Sequence, residues 1–210
     1  MALPVPDPPA LHDRAMQDLS FIRRTMEGAA SFTDVPGWGL VAVGGTALVA
    51  APVAAEQAAP MRWLGVWIAT AVVAAALGGM AMARKMRRRI GAEAPLRLSV
   101  PARKFLLGFW PAVLAGALLT LALIDPYTPG VDPRVTTRLL PGLWLLLYGV
   151  GVTTAGAYSV RAVPLMGLCF IGLGVGALFL PSVDGNLMMA LGFGGLQMGF
   201  GLHIARRHGG

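Results

Sequence analysis

The stretch Ala83-Arg84-Lys85-Met86-Arg87-Arg88-Arg89 separates two long apolar runs, and its charge decides how the whole chain is read. From Arg84 to Lys104 there are eight basic residues and a single acid, Glu93. Lys and Arg close to the ends of membrane spans are held on the cytoplasmic side, so a cluster this dense marks a cytoplasmic loop. Arg84, Lys85, Arg87, Arg88 and Arg89 are therefore assigned to topology and to anionic lipid headgroups. The rest of the composition agrees. The 210 residues are 56% apolar and 13% charged, with a mean hydropathy of +0.67, too apolar for an ordinary soluble domain.

Outward from this loop, six apolar runs each approach the ~20 residues that cross ~30 Å of hydrocarbon. They cover residues 38–55, 63–83, 105–124, 139–158, 163–180 and 187–204. Six crossings put the N-terminal tail, the second and fourth loops and the C-terminus on one side. That side holds fourteen Lys and Arg, while the other holds Arg62, Arg134 and Arg138. Both termini are thus expected in the cytoplasm. Thr33 or Asp34 can cap the first span, with Pro36 in its opening turn, and Ser99 with Pro101 does the same for the third. Trp38, Trp63, Trp67, Trp110 and Trp144 fall within about two turns of a span end, where interfacial anchors sit.

The fold class that follows is an all-α integral membrane protein, six transmembrane helices preceded by an amphipathic cytoplasmic helix. Residues 1–36 form the tail and 37–210 the six-span bundle. In the tail, Ala15, Leu19, Ile22 and Met26 recur at spacings of four, three and four, one apolar stripe on a helix over 11–27. Three uses are open to this stripe: the membrane surface, the protein's own basic loop, or a second chain.

Lipid offers little hydrophobic drive for helices to associate, so small residues that let backbones approach must supply much of it. Of the 28 glycines, twenty-one fall in the six spans. Gly172 and Gly176, with Cys169, make one small face of the fifth span, and Gly167 with Gly174 makes nearly the opposite one. Gly192, Gly195, Gly199 and His203 share a face of the sixth at α-helical spacing, with Gly194 and Gly201 behind. Helix packing is expected at Gly172, Gly176, Gly192, Gly195 and Gly199. A weak echo joins Pro36-Gly37-Trp38 to Pro141-Gly142-Leu143-Trp144 at the openings of the first and fourth spans. An inverted repeat of three plus three spans produces such an echo, and so do capping and aromatic-belt preferences alone.

Asp, Glu, Lys and Arg are absent from all six runs, which counts against proton relays and ion-coupled carriers. The polar groups with the best claim to a polar path or a ligand contact are Tyr148, Thr153, Thr154, Gln197 and His203. A Gln in hydrocarbon must find partners. His203 is expected to point inward as a hydrogen-bonding residue, because a haem would want a second axial ligand and His12 and His208 lie outside the spans. Cys169 has no acid or base at its depth to activate it. Gly192-Phe-Gly-Gly is embedded in an apolar helix rather than placed between strand and helix, so it is no phosphate loop. Asp125 and Asp132 both precede proline and read as turn residues. No catalytic residue, cofactor or metal ligand is assigned, and an enzyme is not expected. The net charge of +7 sits beside spans, which points to lipid and away from nucleic acid. The expected partners are the bilayer, anionic headgroups, and either a second copy of the chain or another membrane protein.

Phe21-Ile-Arg-Arg-Thr-Met-Glu followed by Ser31-Phe-Thr-Asp-Val-Pro-Gly-Trp-Gly resembles the opening of a family of uncharacterised bacterial six-span membrane proteins of about this length. Gly192-Phe-Gly-Gly and Ile204-Ala-Arg-Arg-His-Gly-Gly are similar to the close of the same group. The resemblance implies a bacterial inner membrane and brings no activity, cofactor or site residue with it. The function expected is a non-enzymatic scaffold, regulator or sensor of a lipophilic ligand, acting through helix faces. The alternative is a small homo-oligomeric channel or transporter with an uncharged polar path.

Overall fold

Twenty-odd apolar residues in lipid can satisfy their backbone as helix, and the computed structural model is helical apart from short connections within its described residues, 8–29, 35–90, 100–124, 133–157, 159–180 and 183–208. Caps expected at Thr33, Asp34 and Ser99, the turn residues Asp125 and Asp132, and Tyr158 lie outside them. The elements are α1 (Pro8–Ala29), α2 (Gly37–Ala55), α3 (Pro60–Ile90), α4 (Val100–Leu123), α5 (Pro133–Gly156) and α6 (Ala162–Phe179). A last composite rod follows: α7 (Gly185–Met189), a π-helical stretch (Ala190–Leu196) and α8 (Gln197–His208). Six of these rods are long and apolar enough to cross a membrane. Their number and order match the six apolar runs.

The boundaries differ from expectation at the charged end. Helix α3 runs on to Ile90, so Arg84, Lys85, Arg87 and Arg88 project from its last two turns instead of from a loop. Arg103 and Lys104 likewise sit in the first turns of α4. Helix propensity explains this, since Arg, Lys and Met are good helix formers and nothing before Gly91 breaks the run. Lys85 turns back to donate to the Val35 carbonyl at 3.2 Å, which ties this end of α3 to the entrance of α2. Pro36, expected inside the first turn of α2, is instead its N-cap, in an extended conformation.

Two glycine zippers hold the bundle. Gly142, Gly149 and Gly156 recur every seven residues along α5 and face Gly174, Gly167 and Pro164 of the antiparallel α6. A methyl group added at Gly149 would lie 2.7 Å from the Gly167 carbonyl oxygen and from the Ile171 amide nitrogen. Gly37 and Gly44 of α2, again seven apart, face Gly201 and Gly194 of the last rod, where a methyl on Gly44 would lie 2.8 Å from the Gly194 oxygen. A seven-residue repeat keeps small residues along one seam of two helices that coil about each other. Backbone thereby meets backbone, the contact lipid cannot replace. Helices α3 and α4 pack on the outside, against α2 and α5 respectively. The centre is α5: half of its crossing segment is buried, against 6% for that of α3.

Within the chain, the small faces expected from sequence are mostly not the packed ones. Gly192 is packed, against Leu145, Phe170 and Leu173. Gly172, Gly195 and Gly199 have nothing within 4 Å beyond their own helix, and Gly176 meets only Leu180 at 4.0 Å. The faces behind them, Gly167 with Gly174 and Gly194 with Gly201, carry the packing. The π-helical stretch is part of the reason. Its i→i+5 pattern advances the chain less per residue than an α-helix, so Gly192 and Gln197, five apart, both turn inward while Gly195 and Gly199 turn out.

Candidate functional site

Near the middle of the bundle, Gln197 donates through Nε2 to the Tyr148 hydroxyl at 3.0 Å. Both side chains come from the elements just described, Tyr148 from the central α5 and Gln197 from the end of the π-helical stretch. Rings close around them. Phe109 and Phe193 meet Tyr148 edge-on at 5.5 and 5.0 Å, and Phe170 lies tilted at 4.8 Å. Gln197 is 2% exposed, and its Oε1 is buried without a hydrogen-bond partner. An orphaned acceptor of this kind costs about 1–3 kcal/mol. π-Helical turns are rare and recur at functional sites, and this one serves to bring the amide to the tyrosine.

The other polar positions expected along a path do not join this pair. Thr153 donates to the Gly149 carbonyl and Thr154 to the Val150 carbonyl, each on its own helix at 2.8 Å. Thr153 packs against Gly167, whereas Thr154 is exposed on the outside of the bundle. His203 is also exposed, one turn from the end of the last rod, and does not point inward. Its face is the one the π-helical stretch rotates outward. Cys169 is a half-buried free thiol. Among the described residues no group of three or more His, Cys, Asp or Glu side chains converges.

A second polar cluster, at the end of the bundle opposite Arg84 to Arg88, was not expected from the sequence. Asn186 accepts at Oδ1 from the indole N–H of Trp63 at 2.8 Å and of Trp67 at 3.2 Å. Trp63 stacks on Trp144, centroids 5.9 Å apart and planes within 7°. Trp144 in turn donates to the Thr120 hydroxyl at 2.8 Å, and Thr120 donates to the Gly116 carbonyl at 2.7 Å. Asp184 caps α7 by accepting from the Asn186 amide at 2.8 Å, which sets the side chain between the two indoles. Four helices are joined in this way. Trp63, Trp67 and Trp144 therefore work inside the protein and not as interfacial anchors, while Trp38 and Trp110 stay exposed. Two clues existed: Trp63 and Trp67 share a helix face at i,i+4, and an Asn at a span entrance must find donors.

No protein-family model, curated protein or solved structure matches this chain. Function has to come from the geometry. The Tyr148–Gln197 pair is sealed by aromatic rings and the indole cluster is satisfied within itself. Both behave as polar ties between helices that pack by shape. Trp144→Phe should remove one tie while Thr120 keeps its bond to Gly116, so a loss of about 1 kcal/mol is expected. Chemical denaturation in detergent, followed by circular dichroism, checks it.

Proposed function

We infer that this chain is a multi-pass protein of a bacterial inner membrane, with both termini and the basic end in the cytoplasm, and that it acts as a non-enzymatic scaffold, regulator or lipophilic-ligand sensor. The observation that supports this best is the filled centre. Phe109, Phe170 and Phe193 close around Tyr148 and Gln197, and Thr154 faces away, so the uncharged polar groups do not line up as a path. What the bundle offers is surface. In α1 the stripe of Leu19, Ile22 and Met26 is exposed, from 52% for Ile22 to 68% for Met26. We take this amphipathic helix as a docking element at the cytoplasmic face.

The test has two arms. Reporter fusions at Gly130 and Gly210 should report opposite compartments, and the same compartment for both would sink the topology. Replacing Leu19 and Ile22 with Ser should leave the stability of the bundle unchanged, because both are exposed, while crosslinked complexes seen with the wild type disappear. A bundle that loses stability instead would make α1 an intramolecular brace.

The transport reading keeps one supporting observation. Helices α2 and α5 open the two halves, and each packs on the second helix of its own half and the last helix of the other. That exchange is what an inverted repeat of three plus three helices uses. Labelling of cysteines placed at Thr153 and Gln197 by a membrane-impermeant thiol reagent would favour transport, and protection of both favours the sealed bundle.

A further inference from the structure

We propose that the groove between the first turn of α6 and the last turns of α8 is a binding site for one anionic phospholipid, with its phosphate at Arg161 and His203 and an acyl chain along Gly195 and Gly199. The groove, open to the surface, has a volume of about 540 Å³ and is walled by Leu165 and Leu196, within the roughly 300–1,000 Å³ of small-molecule sites. Its floor is bare because a methyl group added at Gly195 or Gly199 would meet nothing within 4 Å beyond its own helix. Glycines that serve no contact inside the chain leave a trough on the lipid-facing surface.

The trough has a polar end and an apolar end. Helices α6 and α8 are antiparallel here, so Arg161 at the N-cap of α6 and His203 near the C-terminus of α8 lie together at the basic end. Leu165 lies one turn deeper, and Gly195 is eight residues from His203, about 12 Å along a helix. A charged head at one end and a chain at the other is the shape of a membrane lipid.

Charge selects the lipid's sign and argues against a second copy of the chain in this groove. Arg206 and Arg207 follow in the next turn, both exposed. From Ala162 to His208 the only carboxylate is Asp184, at the opposite end of the bundle. Two copies joined here would bring these cations together with no acid from this end of α6 or α8 to offset them, whereas an anionic headgroup supplies the missing charge. The inference rests on reading the basic end as the headgroup end, which the reporter fusions test separately.

The experiment is native mass spectrometry of the purified full chain, titrated with phosphatidylglycerol, with phosphatidylcholine of the same chains, and with glycerol 3-phosphate. The wild type should retain phosphatidylglycerol in preference to phosphatidylcholine and should not retain glycerol phosphate. Arg161→Gln with His203→Gln should weaken phosphatidylglycerol at least about fivefold, since one cation near the surface contributes about 1 kcal/mol. Gly199→Leu, which fills the trough, should weaken both lipids, and Arg62→Gln, exposed at the other end of the bundle, should leave the preference intact. Equal retention of the two lipids by the wild type overturns the proposal, as does an unchanged preference in the Arg161/His203 variant. A dimer lost in Gly199→Leu with lipid retention unaltered assigns the groove to a second copy, and overturns it too. Should Gly199→Leu fail to fold by circular dichroism, the Arg161/His203 variant decides alone, because both residues are exposed.

Discussion

Gly149→Leu should strongly destabilise the α5–α6 half of the bundle in detergent, one of the largest single-residue effects expected in this protein. The added side chain would have to start 2.7 Å from two backbone atoms, the Gly167 oxygen and the Ile171 nitrogen. A flexible neighbour could move aside, but a helix backbone can yield only by translating as a whole. That translation would also open Gly142 against Gly174 and Gly156 against Pro164, because the three contacts lie on one seam. Overpacking typically costs about 1–3 kcal/mol, and with backbone as the obstacle the upper end, about 3 kcal/mol, is expected. Gly44→Leu should behave similarly on the α2–α8 seam. The contrast is as informative as the loss: Gly172→Leu faces open space and should stay within about 0.5 kcal/mol of wild type. Thermal denaturation of the three variants in one detergent decides it. Equal losses at Gly149 and Gly172 would mean that the seams are not where the structure puts them.

The second large effect lies in the centre and is asymmetric. Tyr148→Phe removes the hydrogen-bond partner of the Gln197 amide nitrogen and leaves it unpaired beside the orphaned Oε1, at a cost of about 1–3 kcal/mol. Gln197→Leu loses the same hydrogen bond but also removes the orphaned Oε1, so it should cost less. The double variant replaces both partners by apolar groups of similar shape and should approach wild-type stability, since such paired replacements are close to neutral. The order expected in denaturant midpoints is therefore wild type and double variant highest, Gln197→Leu next, Tyr148→Phe lowest. Simple additivity would show that the two side chains are not coupled, because residues in contact give interaction energies of about 0.5–3 kcal/mol. A double variant as stable as the wild type would also mean that stability is not what the pair and its π-helical turn are for.

The α1 helix, the charged end and the groove at Arg161 extend this logic to the surface. At each of them the expected loss is of binding and not of folding, because Leu19, Ile22, Arg161 and His203 are exposed.

Properties that add up along the chain are legible from its residues alone. Six helices follow from six apolar runs, because a backbone in lipid has no alternative partner. The division of basic residues into a rich and a poor end also needs no third dimension, and the helices place Arg84 and Arg103 at one end and Arg62 at the other. Everything that depends on which way a residue points is set by the packing of the helices. Both faces of the fifth span carry glycine, and only the position of α5 selects Gly167 and Gly174 over Gly172 and Gly176. Trp63 sits at a span end like Trp38, yet the partner that turns it inward, Asn186, is more than a hundred residues away. In the last span a single π-helical stretch shifts the facing of every residue beyond it. It carries Gln197 to Tyr148 and turns His203 with its glycines to the outside. Hydropathy and charge are sums over a segment and survive such a shift. Facing is a phase, and a turn of i→i+5 in place of i→i+4 is enough to change it.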